Sequence, residues 1–493
     1  MYLGIDVGTQ SVKALIYDAQ AGRIADVASA TLTLVSHADG TREQQAQWWL
    51  DALRDCCAQL DPGLRRSVKA LAVSGQQHGF VPLDKTGAVL APVKLWCDTA
   101  TVAQCEQLTA ALGGVEACIA HTGNPVLPGY TAPKILWLQQ CHPQHYAALS
   151  TILLPHDYLN YYLTGEYTME YGDASGTGLL DVRQRCWNSA VLTAIDSQRE
   201  LQDCLPPLVE AGTTIGSLRT QAASALGLPA GIAVATGGGD NMMAAIGTGS
   251  VATGRTTVSL GTSGTIFSYS DRPIVDTGGQ VAAFCDSTGG WLALVCTMNC
   301  TASTELTRAL LELEVAQVDA QVQTASPGSD GVLTLPFFNG ERTPNLPRAS
   351  ASLFGLTTSN YSAANLLRSA MESSVYSLRA GLDRLHALGA RTDSLRLTGG
   401  GAGSAVWRQM VADILQMRVS VQTLDEGAAL GAALQAMWTQ HGGSRSELTS
   451  LVDSQLKEDP QRCCTPNAAH ATLYQDSYAN YQRHVQLVRE LYE

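Results

Sequence analysis

The stretch Gly4-Ile5-Asp6-Val7-Gly8-Thr9-Gln10-Ser11-Val12-Lys13 decides the fold. Apolar runs over 2–7 and 12–18 flank Gly8-Thr9. They predict a strand–turn–strand hairpin with one carboxylate, Asp6, on a buried strand. Small residues at the tip let backbone N–H groups crowd around an anion with no Cβ in the way. Taken alone, a Gly-Thr turn is most often just a turn. Here it recurs: Ser259-Leu260-Gly261-Thr262-Ser263-Gly264 is a second such tip, between apolar runs 255–260 and 264–269. Leu397-Thr398-Gly399-Gly400-Gly401-Ala402 and Gly237-Gly238-Gly239-Asp240 add two more glycine turns behind apolar stretches. Two hairpin tips this far apart in sequence suggest two halves gripping one polyphosphate, the design of a phosphoryl-transfer enzyme.

Working outward, 69–74 and 232–236 read as buried strands ending at Gly75 and at the glycine run before Asp240. Helical periodicity fills 43–60, 101–112 and 131–141, and 362–386 predicts a long helix with Leu366, Leu367, Ala370, Met371, Val375, Leu378 and Leu382 on one face. A strand over 394–398 leads through the glycine turn into a helix ending near Leu415. Small-residue helices occur in each half, Asn241–Gly247 and Gly427–Ala433, and predict a close helix crossing at a hinge between twin domains. The boundary is placed near residue 245. Tyr478, Tyr481, Val485, Val488 and Tyr492 predict a C-terminal packing helix.

A chain of 493 residues exceeds what one core usually serves. With 45% hydrophobic and 15% charged residues it is an ordinary compact protein, and disorder is excluded. The net charge of −13 argues against nonspecific nucleic-acid binding but not against a nucleotide held in a local nest of amides. No basic, apolar leader precedes Asp6 and no run of 18 apolar residues exists, so a cytoplasmic protein with no membrane partner is expected. The 13 cysteines lack a Cys-x-x-Cys pair and read as reduced thiols.

No Gly-Lys pair occurs, so a Walker loop is absent. Gly247-Thr248-Gly249-Ser250-Val251-Ala252 imitates a dinucleotide fingerprint but follows a helix, not a strand, and is discounted. Asp6 beside a phosphate nest is a candidate magnesium ligand acting through water. Thr9, Gln10 and Lys13 of the first tip and Gly261 and Thr262 of the second are candidate phosphate contacts. Asp240 is the candidate general base, with a helix N-cap as its bland alternative. Gln76, Gln77 and His78 end a strand where open α/β sheets place ligands. A lone histidine is more often structural, yet neutral amides and imidazoles suit sugar hydroxyls, which both donate and accept. Trp96 and Asp98 are candidates for an apolar wall and an acceptor, at even weight with a core tryptophan and a turn aspartate.

At these residues the chain resembles the FGGY carbohydrate kinases over nearly its whole length. Gly129-Tyr130-Thr131-Ala132-Pro133-Lys134-Ile135-Leu136-Trp137 looks like the first family signature. Gly355-Leu356-Thr357-Thr358, continuing to Asn365-Leu366-Leu367-Arg368-Ser369-Ala370-Met371-Glu372, looks like the second. The resemblance implies an α/β fold of two actin-like ATPase (ribonuclease H-like) domains with a hinged interdomain cleft. Residues 1–245 would bind sugar and 246–493 ATP. Ser74-Gly75-Gln76-Gln77-His78-Gly79, Gly237–Asn241 and Gly340-Glu341-Arg342-Thr343-Pro344 most resemble the branch acting on D-xylulose. ATP-dependent phosphorylation of a ketopentose is therefore implied, with a ribulose or glycerol kinase, or an ATP-gated interaction protein, as alternatives. Carried over, Asp240 is the base and Asp6 lies near Mg2+. Gln77, His78, Trp96, Asp98, Asp240 and Asn241 line the sugar, Gly261 and Thr262 meet phosphate, and Gly400, Gly401 and Ser404 lie by the nucleoside. Sugar and ATP/ADP are the implied partners, and a homodimer stays open as an assembly. The chain departs from the branch pattern at Cys97 and Ala100, where Asn and Arg are common, and at Gly403, where Arg is frequent.

Overall fold

The computed structural model describes residues 1–424 and 426–492 and resolves two compact units. The first comprises Met1–Ala252, Tyr269–Leu292 and Glu426–Leu456, the second Thr253–Ser268, Ala293–Asp425 and Lys457–Glu493. A single cut near residue 245 therefore misses two excursions, 269–292 and 426–456, that return to the first unit.

The first unit is built on a sheet ordered Thr214–Ser217, Ala233–Ala235, Ala70–Gly75, Tyr2–Val7, Ser11–Asp18 and Arg23–Thr31. The expected hairpin is present, with Asp6 opposite Lys13. Its third strand, Arg23–Thr31, was not anticipated: its burial is irregular, so neither period shows in the sequence. Tyr2–Val7 runs parallel to Ala70–Gly75, and the short strand Gly238–Gly239 pairs parallel with Ser74–Gly75 on the far side. Asp6, Ser74 and Gly238 thus stand abreast, as do Val7, Gly75 and Gly239. Three neighbouring parallel strands end together, which is where such sheets place their ligands.

Helix Ala46–Gln59 covers one face of this sheet, and Trp49, Leu53 and Cys56 join Leu3, Ile5, Val12, Ile16, Leu71 and Val73 in the core. Helix Gly427–Gln440 covers the other face and packs on helix Asp240–Thr248. The close crossing expected of the two small-residue helices is real. A Cβ on Gly431 would stand 1.8 Å from the Met243 carbonyl oxygen, and one on Gly247 2.0 Å from that of Gly427. Both helices belong to the first unit, so their crossing organises its core. The fingerprint-like Gly247–Ala252 falls at a helix C-terminus, where Gly249 (φ 76°) provides the left-handed cap.

In the second unit the strand order runs Trp291–Thr297, Gly264–Ser270, Gly254–Leu260, Thr392–Thr398, Val419–Ser420. Helix Ala363–Ala387 buries the expected stripe apart from Leu366, which stays half-buried. Helix Ala471–Arg489 packs through Tyr474, Tyr478, Tyr481, Val485 and Val488, while Tyr492 lies beyond its end. All 13 cysteines are free thiols, and no described helix is long and apolar enough to cross a membrane.

Candidate active site

Helix Asp240–Thr248 begins where the glycine run leaves the sheet. Gly239 is the N-cap and Asp240 the first helical residue, so the carboxylate does not cap the helix. Its Oδ1 accepts from the Asn241 backbone N–H at 2.7 Å and from Asn241 Nδ2 at 3.0 Å. Burial, then the charges of Asp6 and Asp173, push its pKa up to about 7. A base poised near neutrality beside a helix N-terminus suits proton abstraction from an alcohol.

Gln77 lies beside it: Asn241 Nδ2 also donates to Gln77 Oε1 at 2.9 Å. The structure therefore brings Gln77, Asp240 and Asn241 into one hydrogen-bonded group. His78 turns through a left-handed conformation (φ 66°), unusual for a residue with a Cβ. Its ring packs on Tyr130 at 4.7 Å and Phe284 at 5.9 Å between ring centres. Only a glycine at 176 leaves room for it, since a Cβ there would be 2.5 Å from the imidazole. The strained carbonyl of His78 is held by Lys134 Nζ at 2.8 Å and Thr131 Oγ1 at 3.2 Å, and the same ammonium donates to the Gly129 carbonyl at 2.7 Å. Lys134 is fully buried, and desolvation lowers its pKa to about 7.

The remaining first-unit candidates divide. Trp96 is partly exposed, and its Nε1 donates to Thr9 Oγ1 at 2.9 Å. That hydroxyl donates in turn to Gln76 Oε1 at 3.0 Å, so its proton is committed inside the protein rather than offered to phosphate. The Gln10 side chain points to solvent, and its backbone carbonyl accepts from Leu32 N–H. Lys13 Nζ pairs with Glu426 Oε2 at 2.5 Å. Asp98 departs from its expected role. It is fully buried and accepts from Lys94 Nζ, Arg42 N–H and Ala100 N–H, so its bonds are those of a turn and ion-pair residue. Cys97, in the same turn, is partly buried, and burial pushes its thiol pKa up.

Asp6 accepts from Ser74 Oγ at 2.7 Å. Burial raises its pKa, opposed by Ser74 and Lys13. Among the described residues no group of three or more His, Cys, Asp or Glu could cage a metal. Two mutually repelling carboxylates, Asp6 and Asp240, instead fit a largely hydrated divalent ion.

In the second unit, the two glycine segments meet. Gly399 (φ 87°) would place a Cβ 2.8 Å from the Leu260 carbonyl oxygen, and Gly401 one 2.7 Å from Leu260 Cβ. The Gly400–Gly401 turn therefore lies directly against the residue preceding Gly261-Thr262. Thr301 N–H and Cys300 N–H donate to the carbonyls of Gly261 and Thr262, which fixes the tip and leaves the Thr262 side chain exposed. Ser404 caps helix Ala405–Leu415 by accepting from Trp407 N–H, and its hydroxyl donates to Asp319 Oδ1 at 2.5 Å. Gly403 has open space where a side chain would stand.

The N-terminal domain model of the FGGY family of carbohydrate kinases matches residues 1–247, and the C-terminal domain model matches residues 256–440. The chain belongs to the FGGY family of carbohydrate kinases. This FGGY kinase is 41% identical over 492 residues to the xylulose kinase of Haemophilus influenzae, covering 98% of this chain and 99% of that protein. It is 34% identical over 488 residues to the xylulose kinase of Escherichia coli, with 98% of each covered. Among solved structures it superposes on one described as a xyloylose kinase from Brucella ovis with a TM-score of 0.92 at 30% identity, covering 99% of both chains. Its fold is thus the mixed α/β two-domain fold of the actin-like sugar kinases, and ATP is its co-substrate by family.

Sequence reasoning about this FGGY kinase missed a buried polar group behind Gln77. His156, Asp157 and Asp173 are buried, and Glu170 N-caps the turn that carries Asp173. His156 and Asp157 open helix Pro155–Thr164 and Asp173 lies in the separate turn Tyr171–Ala174, so no local pattern joined them. Lys134 lies within the first signature, where nothing in the neighbouring residues marks its role. Its task, bracing the His78 carbonyl, depends on a contact 56 positions away in the chain.

Proposed function

We infer that this FGGY kinase transfers the γ-phosphoryl group of ATP to the terminal hydroxyl of a ketopentose, D-xylulose first among them. The observation that carries the reading is the Gln77–Asn241–Asp240 group, with His78 locked beside it. Asn241 Nδ2 holds Oδ1 of Asp240, while Oδ2 makes no hydrogen bond among the described residues. That oxygen is the one to accept the hydroxyl proton as the sugar oxygen attacks phosphorus. Amides and an imidazole offer paired donors and acceptors to a short polyol chain, and the full-length likeness to xylulose kinases supports the choice of sugar.

On this reading Met1–Ala252 supplies the sugar-binding residues. The Gly261-Thr262 tip offers its backbone to the phosphates, and the Gly400–Gly401 turn lies under the nucleoside. Ser404 shapes that turn as a cap. Thr9 holds Trp96 and Gln76 in place, and Lys13, drawn from Glu426, would meet phosphate. Asp6, with Asp240 beside it, would hold Mg2+ through water, and the ion would neutralise charge on the phosphates. Burial and exclusion of water keep the base for the sugar hydroxyl alone.

A coupled assay of ADP formation across D-xylulose, D-ribulose, glycerol and sugar acids tests the reading. The expected outcome is the highest kcat/KM for D-xylulose, because a site built to pair one set of hydroxyls leaves buried groups unpaired with an analogue. Faster turnover of glycerol or of a sugar acid would reject the substrate and leave the kinase standing.

A further inference from the structure

The amide of Gln77 must hold one orientation to work, because Oε1 has to face Asn241 Nδ2. What fixes the other end of that amide is a set of side chains that the sugar cannot reach. Asp173 Oδ2 lies 2.7 Å from His156 Nδ1, and His156 Nε2 lies 3.0 Å from Asp157 Oδ1. All three side chains are within 1% of complete burial. The first contact is aligned as a hydrogen bond and the second is an ion-pair contact only, and both carboxylates favour the imidazolium. Burial alone would disfavour that charge, but Asp157 and Asp173 hold the His156 pKa well above its ordinary value. Asp157 is held in turn by the Leu154 N–H, which donates to its Oδ2 at 3.1 Å.

From this triad a second oxygen, Asp173 Oδ1, points toward Gln77. Gln77 Nε2 and Asp173 Oδ1 are both buried, and neither makes a well-aligned hydrogen bond, yet the amide stabilises the Asp173 carboxylate. They converge over Gly239, where an added Cβ would lie 2.8 Å from Gln77 Cγ and 3.1 Å from Asp173 Oδ1. The triad is also wedged against the strand ends that carry the site. A Cβ on Gly75 would meet the His156 backbone nitrogen at 2.8 Å, and one on Gly237 would lie 3.3 Å from His156 Cδ2. Glu170 and Asp240 are the other carboxylates coupled to these groups.

We propose that the buried Asp157–His156–Asp173 triad is a positioning device. It sets the Gln77 amide with its nitrogen toward Asp173 and its oxygen toward Asn241, and so aims Asn241 and the base Asp240 at the sugar hydroxyl. His156 and Asp173 are then positioning residues for sugar phosphorylation, and neither touches the sugar. The inference rests on the assignment of Gln77 and Asp240 to the sugar site.

A double-mutant cycle tests it. Asp173→Asn keeps the shape but turns an amide donor toward Gln77, and should lower kcat/KM for D-xylulose by about tenfold or more while leaving the KM for ATP unchanged. Combined with Gln77→Ala, it should cost no more than Gln77→Ala alone, to within about twofold, because the triad acts only through that amide. Multiplying losses, an equal rise in the KM for ATP, or unchanged sugar kinetics in Asp173→Asn would each overturn the proposal. Thermal unfolding reports whether each variant folds. If Asp173→Asn does not, Asp157→Asn enters the same cycle with the same expectation, and failure of both to fold would make the triad purely structural. If the wild-type enzyme prefers another acceptor, the substrate assignment falls, and the cycle on that acceptor still decides the positioning role.

Discussion

Asp240 sits where burial and two neighbouring carboxylates oppose its ionisation, and this gives it two measurable properties. As a base it must be ionised, so kcat/KM for the sugar should fall about tenfold per pH unit below about 7 and level off above it. A profile flat from pH 5.5 to 8 would exclude Asp240 as the base. Asp240→Asn keeps the shape but takes no proton, and should lower kcat by about 10²–10⁴-fold with sugar binding retained. The stability effect has the opposite sign. Between pH 4 and 7 the unfolded chain has released this proton and the folded one has not, so the wild type loses stability as pH rises through that window. The variant escapes that loss. Its Tm advantage should be absent near pH 4, grow to pH 7, reach roughly 2–4 °C and stay constant above. Lys134 acts differently, by holding the strained His78 carbonyl. Lys134→Met should raise the sugar KM by about tenfold, from the lost buried hydrogen bonds, with the KM for ATP unchanged. An unaltered sugar KM would show that His78 keeps its conformation unaided.

The contact that most limits substitution is the crossing of helices Asp240–Thr248 and Gly427–Gln440. At Gly431 a Cβ would stand 1.8 Å from a backbone oxygen, which no rotamer change can relieve. Gly431→Val should therefore destabilise the protein by about 3 kcal/mol or more in urea unfolding, and shift Asp240 with it, since that residue opens the facing helix. Gly403→Ala, with nothing within 4 Å of the added methyl, should lie within about 0.5 kcal/mol of wild type. Equal effects of the two would refute the crossing. The elements around this contact were legible in the sequence because each is bounded by glycine and keeps one period. The strand Arg23–Thr31 was not, because its alternation is broken by a register shift between Ile16 and Tyr17 of its partner.

Across the whole molecule, the chain order is not the order of the units. Glu426–Leu456, in the C-terminal fifth of the sequence, completes the unit that carries Asp6, Gln77 and Asp240. Helix Gly427–Gln440 covers the face of strands Tyr2–Val7 and Ala70–Gly75 at which a Cβ on Gly4 would be 1.8 Å from the Ala429 oxygen. A chain ending at Leu424 should therefore lose sugar binding by calorimetry, although every proposed sugar contact precedes it. Retained binding would show that the first unit stands without this helix.

Sequence alone determined the family and the phosphoryl-transfer chemistry, and it put Asp240 forward as the base. Glycine turns, a following carboxylate and strand-end amides are local chemical requirements, written in adjacent residues. Tertiary structure alone decided which polar residues share a pocket. Asp98 and Gln77 look equally suited to a hydroxyl in the sequence, yet Lys94 and two backbone N–H groups hold Asp98, while Gln77 opens toward Asn241. It likewise decided that His156 stands behind Gln77 and that a late helix closes the first sheet. Burial and pairing depend on segments brought together from far along the chain, and no window of sequence contains both partners.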